Sequence, residues 1–400
     1  MQMKSRWGLS ILAIACMVGG VGCAKATNPT QVVTAFMWIA TAGDKMVRSY
    51  NINLTSGAIG QIGSAVATGV QPQAMAITPD GSALFIANSG DNTINGYSVN
   101  SDGTLKAQGS TATAGQFPIA LAIDPTGTFV FAADQQSGDV SAYKISSGSL
   151  TPLGATPTQT QGSASSSPSA LVVSPTGGFL YVANGATNTV LGFSYDSNGT
   201  LTPLPAPNPN SCATAPGYCV PVGSNPAGLA FSRCAGVSSA TATCATADDN
   251  DLFVSNAGSN NISIFTACIQ TSSTCAAPDG TLSEIRSGSP VASCCGPTNI
   301  LVDPAGNFVY VLDRGSAEVG EYTYSPVTGA LTALSTTPAS TGVSPFSGGI
   351  TANTSNTNWV YVTNSGASSI SAFSISAGRL TPLSSGPILV AGQPTAILVR

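Results

Sequence analysis

The chain contains no histidine, and only 12 Lys+Arg and 17 Asp+Glu among its 400 residues. Without histidine it lacks the commonest general base and the commonest nitrogen ligand for metals, and a Ser-His-Asp system is impossible. Twelve basic residues are too few to neutralise a nucleic-acid backbone, so nucleic acid is excluded as a partner. A charged fraction of 7% leaves little with which to coat long surface helices, whose exposed faces normally carry Lys and Glu. No apolar run, the N-terminal one included, reaches membrane-spanning length. What is present is 42% hydrophobic residues in short runs, with 44 Gly, 26 Pro and abundant Ser, Thr and Asn. That is enough apolar surface for a core, and the pattern is that of an all-β protein.

The N-terminus reads as an export segment. Lys4 and Arg6 precede an apolar stretch over residues 9–18, too short to span a bilayer stably. Gly20-Val21-Gly22-Cys23 follows, which resembles the bacterial lipoprotein signal. The resemblance implies that residues 1–22 are a cleaved signal peptide and that Cys23 is lipidated. Residues 23–34 then form a tether, and the protein is held on the membrane of the cell envelope by its anchor. Ala24 rather than Asp after the cysteine leans, on the same analogy, towards the outer membrane, with the periplasm or cell surface as the destination.

Cysteine usage fits an exported chain. Besides Cys16 and Cys23 there are eight: Cys212, Cys219, Cys234, Cys244, Cys268, Cys275, Cys294 and Cys295. An even set crowded into one region of an exported protein reads as disulfides. Spacings of 7, 10 and 7 residues plus one adjacent pair suit disulfides better than the close pairs of a zinc site. Cys234–Cys244 and Cys268–Cys275 are plausible staples of long loops, but spacing alone does not select a connectivity.

One unit recurs along the chain. Leu84-Phe85-Ile86-Ala87-Asn88 returns as Val130-Phe131-Ala132-Ala133-Asp134, Leu180-Tyr181-Val182-Ala183-Asn184, Leu252-Phe253-Val254-Ser255-Asn256, Val309-Tyr310-Val311-Leu312-Asp313 and Val360-Tyr361-Val362-Thr363-Asn364. A degenerate first copy ends at Thr41. Six residues after each closing polar residue an apolar residue starts a second strand (Val47, Ile94, Val140, Val190, Ile262, Val319, Ile370). A Gly-containing turn such as Asp102-Gly103-Thr104-Leu105 leads to a third. A small-residue strand opened by proline precedes each unit, as in Pro118-Ile119-Ala120-Leu121. It is often followed by a Pro-x-Gly turn such as Asp124-Pro125-Thr126-Gly127.

Four strands in each of seven units predict an all-β, seven-bladed β-propeller over residues 35–400, with Cys-rich insertions at about 205–298. The first unit lacks its proline strand, while residues 394–399 are an orphan proline strand. The C-terminal strand is therefore expected to close the first blade and hide the sheet edges.

Tyr361-Val362-Thr363-Asn364 is a literal YVTN repeat. With the Pro-x-Gly and Gly-Thr-Leu turns, residues 35–400 resemble the lactonase-family, 6-phosphogluconolactonase-like propellers. The resemblance implies a seven-bladed ring and, in its enzymes, His, Arg and acidic residues at the channel mouth. This chain has no His to match. If an enzyme, it would be a lactonase-type carboxylic ester hydrolase.

In such a ring, the loops leading into the innermost strand and those between second and third strands share one face. The latter loops carry Asp44, Lys45, Asp91, Asp134, Gln135, Gln136, Asp313, Arg314 and Glu318. Of these, Asp134, Asp313, Arg314 and Glu318 are the catalytic candidates, because a carboxylate beside a guanidinium can hold a polar ligand or orient a water. Asp44, Lys45, Asp91, Gln135 and Gln136 are ligand-binding candidates. For Asp134, Asp313 and Arg314 the structural alternative is a turn cap plus a surface ion pair. Asp248, Asp249 and Asp251 offer oxygen ligands for Ca²⁺ without an EF-hand spacing, and no other cofactor is expected. The preferred reading is a monomeric, non-catalytic module that binds a protein, glycan or small molecule. The alternative is a lactone hydrolase using carboxylate and Arg residues.

Overall fold

The computed structural model describes residues 34–154, 158–159, 166–205, 218–232, 250–272, 275–284, 289–352 and 357–400. Each repeat folds as an antiparallel meander. In blade 2, Pro72–Ile77, Ala83–Asn88, Thr93–Val99 and Leu105–Thr113 pair in that order from the axis outward. Pro118–Ile123, Pro168–Val173, Pro226–Phe231, Pro297–Val302 and Pro345–Ile350 open blades 3 to 7 in the same way. Neighbouring inner strands touch in a closed cycle around the ring.

Closure is as expected. Pro394–Val399 is the inner strand of blade 1, pairing antiparallel with Thr34–Thr41 from Met37↔Val399 to Thr41↔Pro394. Every inner strand starts at its proline, and the register slips at that position. Proline has no N–H to give to the ladder, so pairing is interrupted there at little cost.

The second strands carry the core. Those of blades 2, 3, 5 and 7 are buried along their whole length, because each sheet is covered on both faces by its neighbours. This explains their continuous apolar runs, where a half-exposed strand would alternate. Phe85, Phe131 and Phe253 are fully buried, and each contributes about 2–3 kcal/mol by transfer from water.

Polar tips then stitch blade to blade. Trp38 Nε1–H donates to the Gly103 carbonyl of blade 2 (2.9 Å), Tyr181 OH to Gly280 of blade 5 (2.8 Å), and Tyr361 OH to Gly57 of blade 1 (2.8 Å). The turn glycines are required twice over. Gly103 has φ +80, and a Cβ there would come within 2.3 Å of the Phe36 ring. Only glycine allows both the left-handed turn and that approach.

The outer strand is continuous in blades 1 and 2. In blades 3 to 7 it is split into two short segments that pair with the same third strand. The described residues contain a single 3-10 turn, Ser365–Ala367, and no α-helix.

Candidate functional site

The b-to-c hairpins, between second and third strands, rim one end of the ring. In each, the residue four after the closing polar position takes positive φ: Lys45 (57°), Asn92 (56°), Gly138 (72°), Asn188 (58°), Asn260 (54°), Ala317 (57°) and Ser368 (46°). Asparagine tolerates this conformation, and here it has a second task. The Oδ1 atoms of Asn92, Asn188 and Asn260 accept the backbone N–H groups of Phe117, Asn225 and Gly296, each just before the next blade's opening proline (2.8, 2.8 and 2.7 Å). The rim of one blade thus pins the start of the next inner strand.

Inside that rim, the channel holds a cavity of about 610 Å³ lined by the inner strands of all seven blades. Arg314 apart, its wall is neutral, with small and aliphatic side chains, the amides Gln73, Gln135, Asn225 and Asn299, and the hydroxyls of Ser169, Thr298 and Ser347. Two rings, Phe117 and Phe346, add aromatic surface. Phe117 has φ +61, which is costly for a bulky residue and is held by the Asn92 bond. Arg314 is the single charged side chain in the described lining, and its guanidinium lies 5.4 Å from the centroid of the Phe346 ring. Such stacking orients the cation and leaves its in-plane N–H donors open to an anion.

Of the residues predicted from sequence, Gln135 and Arg314 line this cavity. Asp134 and Asp313, one residue earlier, are fully buried and point away from it into their blades. Asp134 accepts from Ser141 Oγ–H, and its Oδ1 has no partner. Burial pushes its pKa up to about 7; the Ser141 bond opposes this and the Asp139 charge adds to it. Asp313 accepts from Ser293 Oγ–H (2.8 Å), and its Oδ2 has no partner. Burial pushes it up to about 6, with the Ser293 bond opposing and Glu318 adding. Glu318 faces Asp313 across the hairpin register and lies outside the cavity lining. The described residues contain two ion pairs, Asp44–Arg48 and Glu321–Arg379, so the neighbours Asp313 and Arg314 do not form one.

The remaining candidates are rim features. Burial alone would raise the Asp44 carboxyl, but hydrogen bonds from Arg48 and Thr41 and the Arg48 charge hold it below its usual range. Lys45 is an exposed left-handed turn residue. Asp91 caps the Val70 N–H (3.0 Å) and accepts from Thr93 Oγ–H (3.1 Å). Gln136 is exposed, its N–H given to the Gln116 carbonyl (3.0 Å). Asp251 is buried, accepting from Thr266 Oγ–H (2.9 Å) and Tyr324 OH (2.8 Å). Asp248 and Asp249 lie outside the described residues, among which no three metal-ligating side chains cluster.

Cys268 and Cys275 form a disulfide, with Cα atoms 5.3 Å apart. Cys219 is also bonded. Cys294 and Cys295 are free and exposed, which departs from the expectation that all eight cysteines pair. Cys23, Cys212, Cys234 and Cys244 lie outside the described residues.

Phe117, Phe346, Gln73 and Asn225 were not singled out from sequence. The signal is positional: Gln73, Ser169, Thr298 and Phe346 each follow the opening proline of an inner strand, and Phe117 and Asn225 each precede one.

A sequence profile described as "Lactonase, 7-bladed beta-propeller" matches residues 34–164 and 238–389. The chain belongs to this lactonase family of seven-bladed propellers. Among solved structures, this lactonase-family chain is similar to one described as a candidate 6-phosphogluconolactonase from Bacteroides fragilis. They share 19% identity at a TM-score of 0.72, with 94% of this chain and 99% of that one covered. It is similarly related to a periplasmic gluconolactonase from Pseudomonas aeruginosa, at 16% identity and TM-score 0.72, covering 92% and 99%. A protein from Lactobacillus plantarum follows at 16% identity and TM-score 0.70, covering 92% and 100%. At these identities the likeness establishes the fold. No curated protein matches the chain significantly.

Proposed function

We propose that this lactonase-family propeller is a binding module for a small, hydroxyl-rich anionic ligand, held in the channel cavity and not hydrolysed there. The observation that carries the reading is the lining itself: one guanidinium, Arg314, in a wall of amides, hydroxyls and two aromatic rings, with no carboxylate. Arg314 supplies charge-assisted hydrogen bonds to a carboxylate or phosphate, and the amides and hydroxyls match sugar-type hydroxyls. Hydrolysis of a lactone needs a group that takes a proton from water. The chain has no His, and the carboxylates nearest in sequence to the lining, Asp134 and Asp313, are turned into the blades. On this reading the module works at the cell envelope, tethered through Cys23.

The second reading is a lactone hydrolase, favoured by the family and by the gluconolactonase from P. aeruginosa among similar structures. It requires a general base, and the described lining supplies none.

Calorimetric titration with D-gluconate tests the binding reading. Saturable heat is expected with the wild-type protein, with affinity lowered about tenfold or more in Arg314→Gln, in line with about 1.5–3 kcal/mol for a hydrogen bond to a charged group. Equal binding by both proteins would remove Arg314 from the site.

A further inference from the structure

Cys294 and Cys295 have no part in ligand binding as described, yet their setting is ordered. Both are exposed and free, whereas Cys219, Cys268 and Cys275 are disulfide-bonded. Their sulfurs lie 3.3 Å apart, against about 2.05 Å in a covalent S–S bond. The pair occupies the loop leading into the inner strand of blade 6, on the channel-mouth face. One residue of blade 5 pins this loop on both sides. Ser293 N–H donates to the Asn260 carbonyl (3.0 Å), and Gly296 N–H donates to Asn260 Oδ1 (2.7 Å). Residues 294 and 295 therefore bridge two fixed points with their thiols side by side.

The loop in turn holds the backbone of the cavity's cation. The Gly296 carbonyl accepts from Arg314 N–H (3.1 Å), and the Cys295 carbonyl accepts from Gly315 N–H (2.8 Å).

We propose that Cys294 and Cys295 are a reversible redox site, a dithiol that closes to a disulfide between adjacent residues and thereby loosens the backbone that presents Arg314 to the channel. The oxidant is a small-molecule disulfide of the glutathione class. One cysteine thiolate attacks a sulfur of the oxidant, forming a mixed disulfide and expelling one thiolate. The neighbouring cysteine thiolate then attacks the protein sulfur, closing the Cys294–Cys295 bond and expelling the second. Two protein thiols become one disulfide, one oxidant disulfide becomes two thiols, and these take up the two protons.

Closure cannot leave the backbone unmoved. Adjacent Cα atoms are about 3.8 Å apart across a trans peptide, while ordinary disulfides have Cα atoms about 4.4–6.8 Å apart. The ring must therefore distort the 294–295 peptide, which is made of the Cys294 carbonyl and the Cys295 N–H, and a change of torsion at Cys295 turns the next carbonyl along, the Cys295 C=O that accepts from Gly315 N–H. Strain of this kind makes a disulfide more readily reduced, as in labile and regulatory bonds. Cys268–Cys275, with a Cα separation of 5.3 Å, falls in the ordinary range and serves as an internal reference. The consequence for ligand binding rests on the role given to Arg314 above; the redox step and the loosening do not.

The test uses the full chain, equilibrated over a series of oxidised-to-reduced glutathione ratios, acid-quenched, alkylated and mapped by mass spectrometry. The peptide carrying Cys294 and Cys295 is expected to lose both alkylation sites together and become two hydrogens lighter. This should need a ratio at least about tenfold more oxidising than the one that closes Cys268–Cys275. Amide hydrogen exchange at Arg314 and Gly315 is expected to speed up several-fold in the oxidised form. No such change is expected in the Cys294→Ser/Cys295→Ser double variant, whose substitutions are exposed and leave the fold intact. The proposal is overturned if both thiols stay alkylatable at the most oxidising ratio. It is equally overturned if they end as glutathione adducts, in covalent dimers or bonded to other cysteines, and unchanged exchange at residues 314 and 315 refutes the link to the channel.

Discussion

Blades 2 and 3 are built on the same hairpin, yet they differ in one atom at its closing residue, an amide nitrogen in Asn88 and a carboxyl oxygen in Asp134. In blade 2, Asn88 Oδ1 accepts from Thr68 Oγ–H (2.8 Å) and Gly69 N–H (3.1 Å), while Nδ2 donates to Asn95 Oδ1 (2.6 Å) and Thr93 Oγ (3.3 Å). One buried side chain accepts from the loop ahead of the inner strand and donates across the hairpin. Asn256 and Asn364 make the same cross-hairpin donations. In blade 3 the residue opposite Asp134 in the register is Asp139, and in blade 6 Glu318 stands opposite Asp313. A carboxylate cannot donate, so these hairpins set acid against acid. A protonated Asp restores a donor where the other blades have an amide. Below their raised pKa values these buried hairpins tolerate the acid by holding its proton, and their stability becomes dependent on pH.

Four changes bear on this contrast, from the largest expected effect to the smallest. Asn88→Asp turns an amide blade into an acid blade without the Ser141-type donor of blade 3. At pH 8 it is expected to cost about 2–3 kcal/mol, the desolvation of a buried, poorly matched polar group. Thermal melts should show the loss shrinking as pH falls towards 4. Asp134→Asn should do the reverse. Burial raises the folded-state pKa to about 7 from an ordinary carboxyl value of 3.8, so between those values the folded protein holds a proton that the unfolded chain releases. That contribution to stability falls as pH rises through this window and is flat above it. The variant should therefore gain a few kcal/mol at pH 8 and nothing at pH 4. Denaturant melts at both pH values check it, and an equal gain at both would contradict the protonated-acid account. Asp313→Asn should behave likewise over a narrower window, from 3.8 to about 6, with a correspondingly smaller gain at pH 8. Arg314→Gln, one residue later, should change stability by less than about 0.5 kcal/mol, because its side chain faces the channel. A larger loss in melting would show that Arg314 supports the blades.

The contrast also marks what was legible in the sequence. The seven units, the Gly turns and the closing role of residues 394–399 could all be read, because each is a local pattern with one physical solution. Asp134 and Asp313 stood out by departing from the repeat, but their orientation did not. Asp313 is the last residue of its strand and is buried in the blade, while Arg314 opens the turn that follows and lines the channel. The cavity wall was hidden for a related reason. Phe346 and Gln73 follow an opening proline, and the register slip there redirects their side chains. For Phe117 the place before a proline gave no hint of its orientation, since its left-handed backbone depends on Asn92 from the preceding blade. The Cys294–Cys295 pair was visible in sequence, whereas its anchoring by Asn260 depends on ring geometry.

The central claim is that the channel binds an anionic, hydroxyl-rich molecule and has no base with which to hydrolyse one. The most direct measurement is the rate of glucono-δ-lactone opening at neutral pH with the purified wild-type protein, compared with the spontaneous rate in the same buffer. The account predicts equal rates at protein concentrations that saturate with D-gluconate. A protein-dependent rate that disappears in Arg314→Gln would contradict it and assign the channel to catalysis.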